Sequence, residues 1–291
     1  MVTGPPGDSG MLWAIERKTI QMFEKLIWKD DRLLLNDLVF RMEHFLNENW
    51  ELGERCFRFY KVKGLIDEYE YAFAKRPNWR PRHILEIGMW HGGSLPFWFE
   101  SLRPEKLVGL DLADRTDSAY FSEYVSSRAL ESRIKTYWKT SQTDAQMLGR
   151  ILESDFGGRL DLVMDDASHH YGPSKASFEY LFPRMPEGAL YVIEDWAWAH
   201  WAEFQTPNHS WTWEIPLTRL VFDLVEAVGT STSLVKSLEV YKGFVIVERG
   251  PISAAEVTGF TLENYISRRK EPNPGLRSAL RGLIAALRAK I

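Results

Sequence analysis

From residue 83 onward the chain alternates short apolar runs with helical stretches, and this alternation limits the fold more than any other feature. His83–Ile87 (HILEI) leads through Gly88 into a helix predicted over Ser94–Ser101. Further apolar runs cover Lys106–Leu112, Arg133–Trp138, Leu160–Asp165 and Ala189–Glu194, and Ser237–Tyr241 with Gly243–Glu248 read as a tightly joined closing pair. Strands separated by helices predict an α/β fold: a doubly wound, mostly parallel, seven-stranded Rossmann-like sheet, with the closing pair at an antiparallel edge.

The segment before this pattern is different, and Pro77–Pro81 (PNWRP) punctuates the change. Residues 1–10 hold three Gly and two Pro and are expected to be a disordered lead-in. Over 11–56, Trp13, Ile20, Phe23 and Ile27 form one stripe at helical spacing, and Leu34, Leu38, Met42, Phe45 and Leu46 form another. They predict a small N-terminal helical appendage of two helices. Residues 57–250 then form the main domain, and 251–291 a C-terminal extension.

Charge excludes some functions. Lys plus Arg total 36 against 40 Asp plus Glu, a net of −4, the reverse of the usual balance in a nucleic-acid binder. The basic residues gather late, with seven of them and one acid between Arg268 and Lys290. Leu276, Leu280, Leu283, Ile284 and Leu287 give that stretch an apolar stripe. A basic amphipathic helix of this kind docks on the acidic body or on a second subunit of a homo-oligomer, or makes peripheral contact with an anionic membrane. A single cysteine, Cys56, excludes an internal disulfide and a cysteine-based zinc site. No apolar run approaches a membrane span, and the first ten residues lack a signal-peptide layout, so a soluble cytoplasmic protein is expected.

In a doubly wound sheet, ligands sit beyond the carboxyl ends of the strands. The first strand of the main domain ends in Glu86-Ile87-Gly88-Met89-Trp90-His91-Gly92-Gly93-Ser94. Glycines here let the backbone approach a ligand and turn into a helix. The spacing is not the G-x-G-x-x-G of a dinucleotide site, which disfavours a dinucleotide-dependent oxidoreductase. Glu86 would repel a pyrophosphate and favour a ligand carrying an ammonium or sulfonium charge. Asp111, 23 residues after Gly88, is placed to accept hydrogen bonds from ribose hydroxyls. Gly88, Gly92, Ser94 and the two acids thus point to S-adenosylmethionine; the plainer alternative is an ordinary strand–helix turn with solvated carboxylates.

Two more strand ends carry acids: Asp165-Asp166-Ala167-Ser168-His169-His170, and Glu194-Asp195-Trp196. On one edge of a parallel sheet these carboxylates would crowd and need a cation or protons to offset their repulsion. Oxygen ligands without a thiolate favour Mg²⁺, with Mn²⁺ or Ca²⁺ as substitutes. A nearby imidazole such as His169 can take a proton from a coordinated hydroxyl. Otherwise Asp166 caps the following helix and the histidines are exposed loop residues.

The turn ILEIGxxxGGS, the strand end DDxSH and the strand end YVIED resemble class I S-adenosylmethionine-dependent methyltransferases. More narrowly, they resemble the metal-dependent sugar O-methyltransferases of the mycinamicin, macrolide-sugar type, within the cephalosporin-hydroxylase-like group. The likeness covers Phe57 to Gly250, and Ala167 replaces the glycine usual between DD and SH. It implies Asp166, Glu194 and Asp195 as metal ligands, with Asp166 and His169 catalytic and His169 the general base. It implies Glu86, Gly88, Asp111 and Asp165 at the methyl donor, and Ser141 and Gln142 near its adenine. The implied activity is Mg²⁺-dependent O-methyl transfer to a sugar hydroxyl of an oligosaccharide or glycosylated metabolite. The rivals are a phenolic or catechol-like acceptor, and a non-catalytic binder of the donor.

Trp196, Trp198, Trp201, Trp211 and Trp213 follow the last acidic strand end directly. Aromatic faces pack against the C–H faces of sugars, so Trp196, Trp198 and Trp201, with His170, are expected to contact a saccharide as a lid; core packing is the alternative for any one of them.

Overall fold

The computed structural model describes residues 23, 26–42, 55–230, 233–251 and 259–266. The expected lead-in, Trp13 and Ile20 of the first stripe, Phe45 and Leu46 of the second, and the basic amphipathic helix over 272–291 lie outside the described residues.

The described part of the N-terminal segment corrects the expectation of a helix over the second stripe. Residues 27–42 form three strands, β1 (Ile27–Lys29), β2 (Arg32–Leu35) and β3 (Leu38–Met42), joined as antiparallel hairpins. A fourth strand, β4 (Phe57–Phe59), pairs parallel to β3. A spacing of four residues is compatible with both periods, since it is one turn of helix and an even step along a strand. The turn chemistry decides between them. Asp30-Asp31 and Asn36-Asp37 each leave two residues between strands, and Asn36 takes φ +54°, the left-handed conformation that tight hairpins require. Leu33, Leu35, Leu38 and Phe40 are buried, and Phe40 packs against Phe57, Phe59 and Phe97.

After α1 (Lys63–Ala74) the main sheet begins. Its strands are β5 (His83–Ile87), β6 (Lys106–Leu110), β7 (Ile134–Tyr137), β8 (Leu162–Asp165), β9 (Leu190–Glu194), β10 (Val235–Val240) and β11 (Phe244–Arg249). Their order is β10-β11-β9-β8-β5-β6-β7. Five strands run parallel, and β11 inserts antiparallel between β9 and β10. The doubly wound α/β sheet with an antiparallel edge is therefore as the sequence predicts, with strand ends shifted by one or two residues. The helices between strands are α2 (Ser94–Leu102), α3 (Ala119–Ser127), α4 (Ala145–Phe156), α5 (Tyr171–Leu181) and α6 (Thr218–Thr230).

Both faces of the sheet are covered, which is why its strands are apolar almost throughout. Ile84, Leu107, Leu162, Val192 and Ile246 face one core together with Tyr69 and Phe73 of α1, Phe97 and Trp98 of α2, and the small sheet. Leu85, Val108, Val163, Ile193 and Val247 face the other, against α4, α5 and α6. Among the described residues no helix is long and apolar enough to cross a membrane.

Strand order reverses between β5 and β8, and the register sets Ile87 beside Asp165 and Asp165 beside Ile193. The residues that follow these three, Gly88, Asp166 and Glu194, therefore lie side by side at the carboxyl edge. Two glycines allow the close packing there. A Cβ on Gly88, whose φ is +86°, would lie 2.1 Å from the Asp166 carbonyl oxygen, and one on Gly93 would lie 1.8 Å from that of Arg58. The glycine turn is thereby wedged between the tip of β8 and the backbone of β4.

Gly88→Ala should cost about 3 kcal/mol or more, combining left-handed strain with a backbone clash. Gly157→Ala, at φ +59° with nothing within 4 Å of its Cβ, should cost only about 1–2 kcal/mol. Urea unfolding of the two variants checks the difference; equal losses would show that the wedge is slack.

Candidate active site

Backbone geometry builds the site before side chains enter. The Asp166 amide donates to the Ile87 carbonyl at 2.8 Å, and the Asp195 amide donates to that of Gly243 at 2.8 Å. Past these anchors the chain bends sharply: His169 has φ +55° and Asp195 φ +51°, both left-handed in non-glycine residues. Such strain is held only where surrounding structure enforces it. Here it gathers the side chains of Asp166, His169 and Asp195, one ligand atom of each lying within 4.8 Å of the others. His169 Nε2 is 3.8 Å from Asp166 Oδ1 and 4.0 Å from Asp195 Oδ2, beyond hydrogen-bond reach, while its buried Nδ1 has no partner among the described residues. The His169 carbonyl accepts a 2.7 Å bond from Trp198 Nε1, which pins the loop. Asp166 does not cap α5: His170 holds the cap position, with no side-chain bond.

Lys61, which no motif marks, also reaches this edge. Its side chain, only 3% exposed, enters from the residues after β4 and donates to Asp166 Oδ2 at 2.8 Å and to Glu194 Oε1 and Oε2 at 2.7 and 2.9 Å. Tyr69 of α1 donates to Glu194 Oε1 at 2.6 Å. Both oxygens of Glu194 are thus engaged by protein donors, beside the trio of Asp166, His169 and Asp195. Burial opposes the ammonium, but the carboxylates of Asp166, Glu194 and Glu86 outweigh it and hold Lys61 protonated far above its usual range. Burial raises the pKa of Glu194 and of Asp195, with Asp166 adding to it at Glu194. No sequence motif marks a lysine 25 residues ahead of Glu86, so only the fold reveals it.

On the donor side the expected residues divide. Asp111 stays half-exposed at the end of β6, its carboxylate oriented by bonds from the Trp90 amide at 2.7 Å and the Ala113 amide at 2.8 Å. Trp90 itself is exposed, with φ +52°, and the Arg115 guanidinium lies over its ring at 4.9 Å. Gly92, at φ +75°, and Ser94 lead into α2. Ser141 stays half-buried on the turn after β7, bonded locally to Thr143.

Glu86, Asp165 and Gln142, expected at the donor or near its adenine, turn inward and are bonded within the protein. Glu86 is fully buried, accepting from Ser94 Oγ at 2.7 Å and Trp98 Nε1 at 3.1 Å, and burial lifts its pKa to about 7. Asp165 accepts from Ser177 at 2.8 Å and Tyr191 at 2.9 Å, and burial lifts its pKa to about 6. Gln142 donates to Asp165 at 3.2 Å and accepts from the Ser168 amide at 3.2 Å. These are polar knots beneath the edge that fix the loops above. Strand alternation explains them, since neighbours such as Asp165 and Asp166 leave the sheet on opposite sides.

The aromatic segment is also divided. Trp198 is buried, packed on Trp211 at 5.0 Å and Phe204 at 5.4 Å, so it is a core residue and not a surface for sugar. Trp196 is half-buried and spends its Nε1 proton on the Tyr241 carbonyl at 2.9 Å. Trp201 is half-buried against Phe204, and Trp213 is 93% exposed. His170 lies edge-on to Trp211 at 4.8 Å with Nδ1 3.7 Å from Glu214, and burial lowers its pKa. Its Nε2 is buried and unpartnered.

Comparison with known proteins agrees with this edge. A family described as a methyltransferase domain matches residues 85–196, from β5 through the aromatic turn after β9. Mycinamicin VI 2''-O-methyltransferase of Micromonospora griseorubida is 33% identical over 197 residues, covering 65% of this chain and 42% of that protein. Demethylmacrocin O-methyltransferase of Streptomyces fradiae is 29% identical over 217 residues, covering 68% and 51%. The chain spans about half the length of the curated relatives it matches. A crystal structure of the mycinamycin-pathway methyltransferase MycE with Mg, SAH and Mycinamycin VI aligns at 30% identity and TM-score 0.47, covering 64% of this chain and 49% of that one. Residues 85–196 thus match a methyltransferase domain, and the chain is similar to the macrolide-sugar O-methyltransferases.

Proposed function

We propose that the chain transfers a methyl group from S-adenosylmethionine to a sugar hydroxyl of a glycosylated metabolite or oligosaccharide, with residues 57–250 as the catalytic domain. The observation that carries it is the convergence of Asp166, His169 and Asp195 at the sheet edge beside the glycine turn. The relatives named for sugar methylation support the acceptor class.

A hard divalent ion such as Mg²⁺ fits this edge. Asp166 and Asp195 offer carboxylate oxygens, Lys61 offsets part of the surrounding negative charge, and the ion would find its other ligands in water or substrate. When bound, such an ion lowers the pKa of a hydroxyl that it coordinates.

The remaining work belongs to the chain's own groups. Asp111, already oriented by two backbone amides, keeps lone pairs for the ribose hydroxyls of the donor. The acceptor oxygen is held in line behind the sulfonium methyl, so that the O–CH₃ bond forms as the S–CH₃ bond breaks and the sulfonium becomes a thioether. His169 Nε2 receives the hydroxyl proton. The imidazolium that results is stabilised by the carboxylates of Asp166 and Asp195 about 4 Å away. We assign Trp201 and His170 to the acceptor side.

Methyl transfer to a glycoside acceptor should cease in excess chelator and return on adding Mg²⁺; full activity in chelator would remove the metal from the mechanism. His169→Ala should lower kcat by about 10²–10⁴-fold while leaving the donor Kd within about threefold, read by single-turnover transfer and calorimetry. An unchanged rate would place the base elsewhere. Trp198→Ala should cost about 3–5 kcal/mol of stability, whereas Trp201→Ala should raise the acceptor KM without unfolding; a melting series beside steady-state kinetics separates the two.

A further inference from the structure

The methyl donor proposed above carries an α-carboxylate as well as its sulfonium, and the strand ends that it must cross are acidic. Asp111, Asp166 and Asp195 stand along that edge, and Lys61 is already bonded to Asp166 and Glu194. An anion laid among these acids needs a cation of its own. Two guanidiniums reach the glycine turn, those of Arg58 and Arg115.

They differ in what they touch. Arg115 Nη1 donates to the Trp90 carbonyl at 3.1 Å, and its guanidinium lies over the exposed indole of that residue at 4.9 Å. It thus belongs to the side where the Trp90 amide orients Asp111 for the ribose. Arg58 comes from β4 of the small sheet. Phe57 and Phe59 are buried on one face of that strand, and Arg58 between them turns to the other, toward His91. Arg58 Nη1 lies 3.1 Å from His91 Nε2, and the Tyr60 ring stacks on the same imidazole at 6.1 Å. A guanidinium only donates, so Nε2 accepts and the imidazole proton sits on Nδ1. Burial, helped by Arg115 and Arg58, lowers the His91 pKa to about 4, which keeps the ring neutral and accepting. The Arg58 carbonyl abuts Gly93 at the start of α2, so main chain and side chain of one residue both brace the turn.

We propose that Arg58 recognises the α-carboxylate of S-adenosylmethionine, with His91 as the positioning residue that orients its guanidinium. The inference rests on S-adenosylmethionine as the donor. A planar fork of N–H groups matches a carboxylate, and the positive end of α2 favours an anion on the same side. Ribose and carboxylate are attached on either side of the donor's sulfur, so contacts at Asp111 and Arg58 hold the sulfonium between two fixed points. The small N-terminal sheet thereby forms part of the donor site, although it contains neither the glycine turn nor a strand-end acid.

Calorimetry with two probes tests this: S-adenosylhomocysteine, and its decarboxylated analogue, which keeps the nucleoside, sulfur and amine. The unaltered chain should bind the first about tenfold or more tighter than the second. Arg58→Met should weaken binding of S-adenosylhomocysteine by about 10- to 100-fold and of the analogue by no more than about threefold. His91→Phe, which keeps a ring for Tyr60, should weaken S-adenosylhomocysteine by about 3- to 10-fold and again spare the analogue. Arg115→Met should leave the ratio of the two affinities unchanged. Equal losses for both probes in Arg58→Met would reduce Arg58 to a structural residue and overturn the proposal. A ratio lost in Arg115→Met and kept in Arg58→Met would overturn it as well. Should Arg58→Met fail to fold, Arg58→Lys keeps the charge without the fork and should lower the ratio by about threefold or more; an unchanged ratio there counts against the proposal. Failure of both probes to bind the unaltered chain would remove the donor itself, and the inference with it.

Discussion

Repulsion among acids at one sheet edge is the constraint around which this molecule is arranged. Parallel strands in register bring Gly88, Asp166 and Glu194 to the same level, and Glu86 lies just beneath. At about 4 Å and an effective dielectric of about 20, each like-charged pair costs roughly 4 kcal/mol, comparable with a large part of a domain's net stability. The chain offsets this in several ways: an ammonium on Asp166 and Glu194, a phenol on Glu194, a hydroxyl and an indole N–H on Glu86, and a raised pKa for Glu86 itself.

Those offsets come from different parts of the chain, which ties the parts together. Ser94 and Trp98 belong to α2, Tyr69 to α1, and Lys61 to the link between them and the small sheet. Tyr69 also stacks on Phe244 of β11 at 4.1 Å, so the group that bonds Glu194 is itself clamped by the far strand. Phe40, Phe57 and Phe59 join Phe97 of α2 in one aromatic layer beneath the glycine turn. Packing of the N-terminal sheet and electrostatics of the edge are therefore parts of one arrangement. The same logic explains the strained φ values of His169 and Asp195: the anchors on either side leave no relaxed path that keeps both side chains at the edge.

The sequence and the structure agree where pattern is strong and local. Apolar runs separated by helices marked all seven strands of the main sheet, and the acids at strand ends marked the edge where Asp111, Asp166, His169 and Asp195 stand. Agreement ended where a pattern admitted two readings. Leu34, Leu38 and Met42 share a face in a helix, but the hairpin turn at Asn36-Asp37 sets Leu34 opposite Val39 and Leu38 opposite Leu35, on different faces of the sheet. Glu86, Asp165 and Gln142 have side-chain chemistry suited to a ligand, yet strand alternation turns the first two into the interior and Gln142, on the turn after β7, bonds Asp165 there. Trp198 looked like its neighbours in composition and differs from them only in what packs around it.

The amino-acid order alone determined the sheet, its glycine turn and the acids at its tips, because strand periodicity and turn chemistry act over a few residues and leave their mark in the chain. Tertiary structure alone decided which of those acids remain open and which are answered by a proton donor. Lys61 and Glu194 stand 133 residues apart, and no local rule of propensity or spacing relates them. They meet because the small sheet seats on a glycine and the main sheet keeps its register, and burial then makes the pairing obligatory.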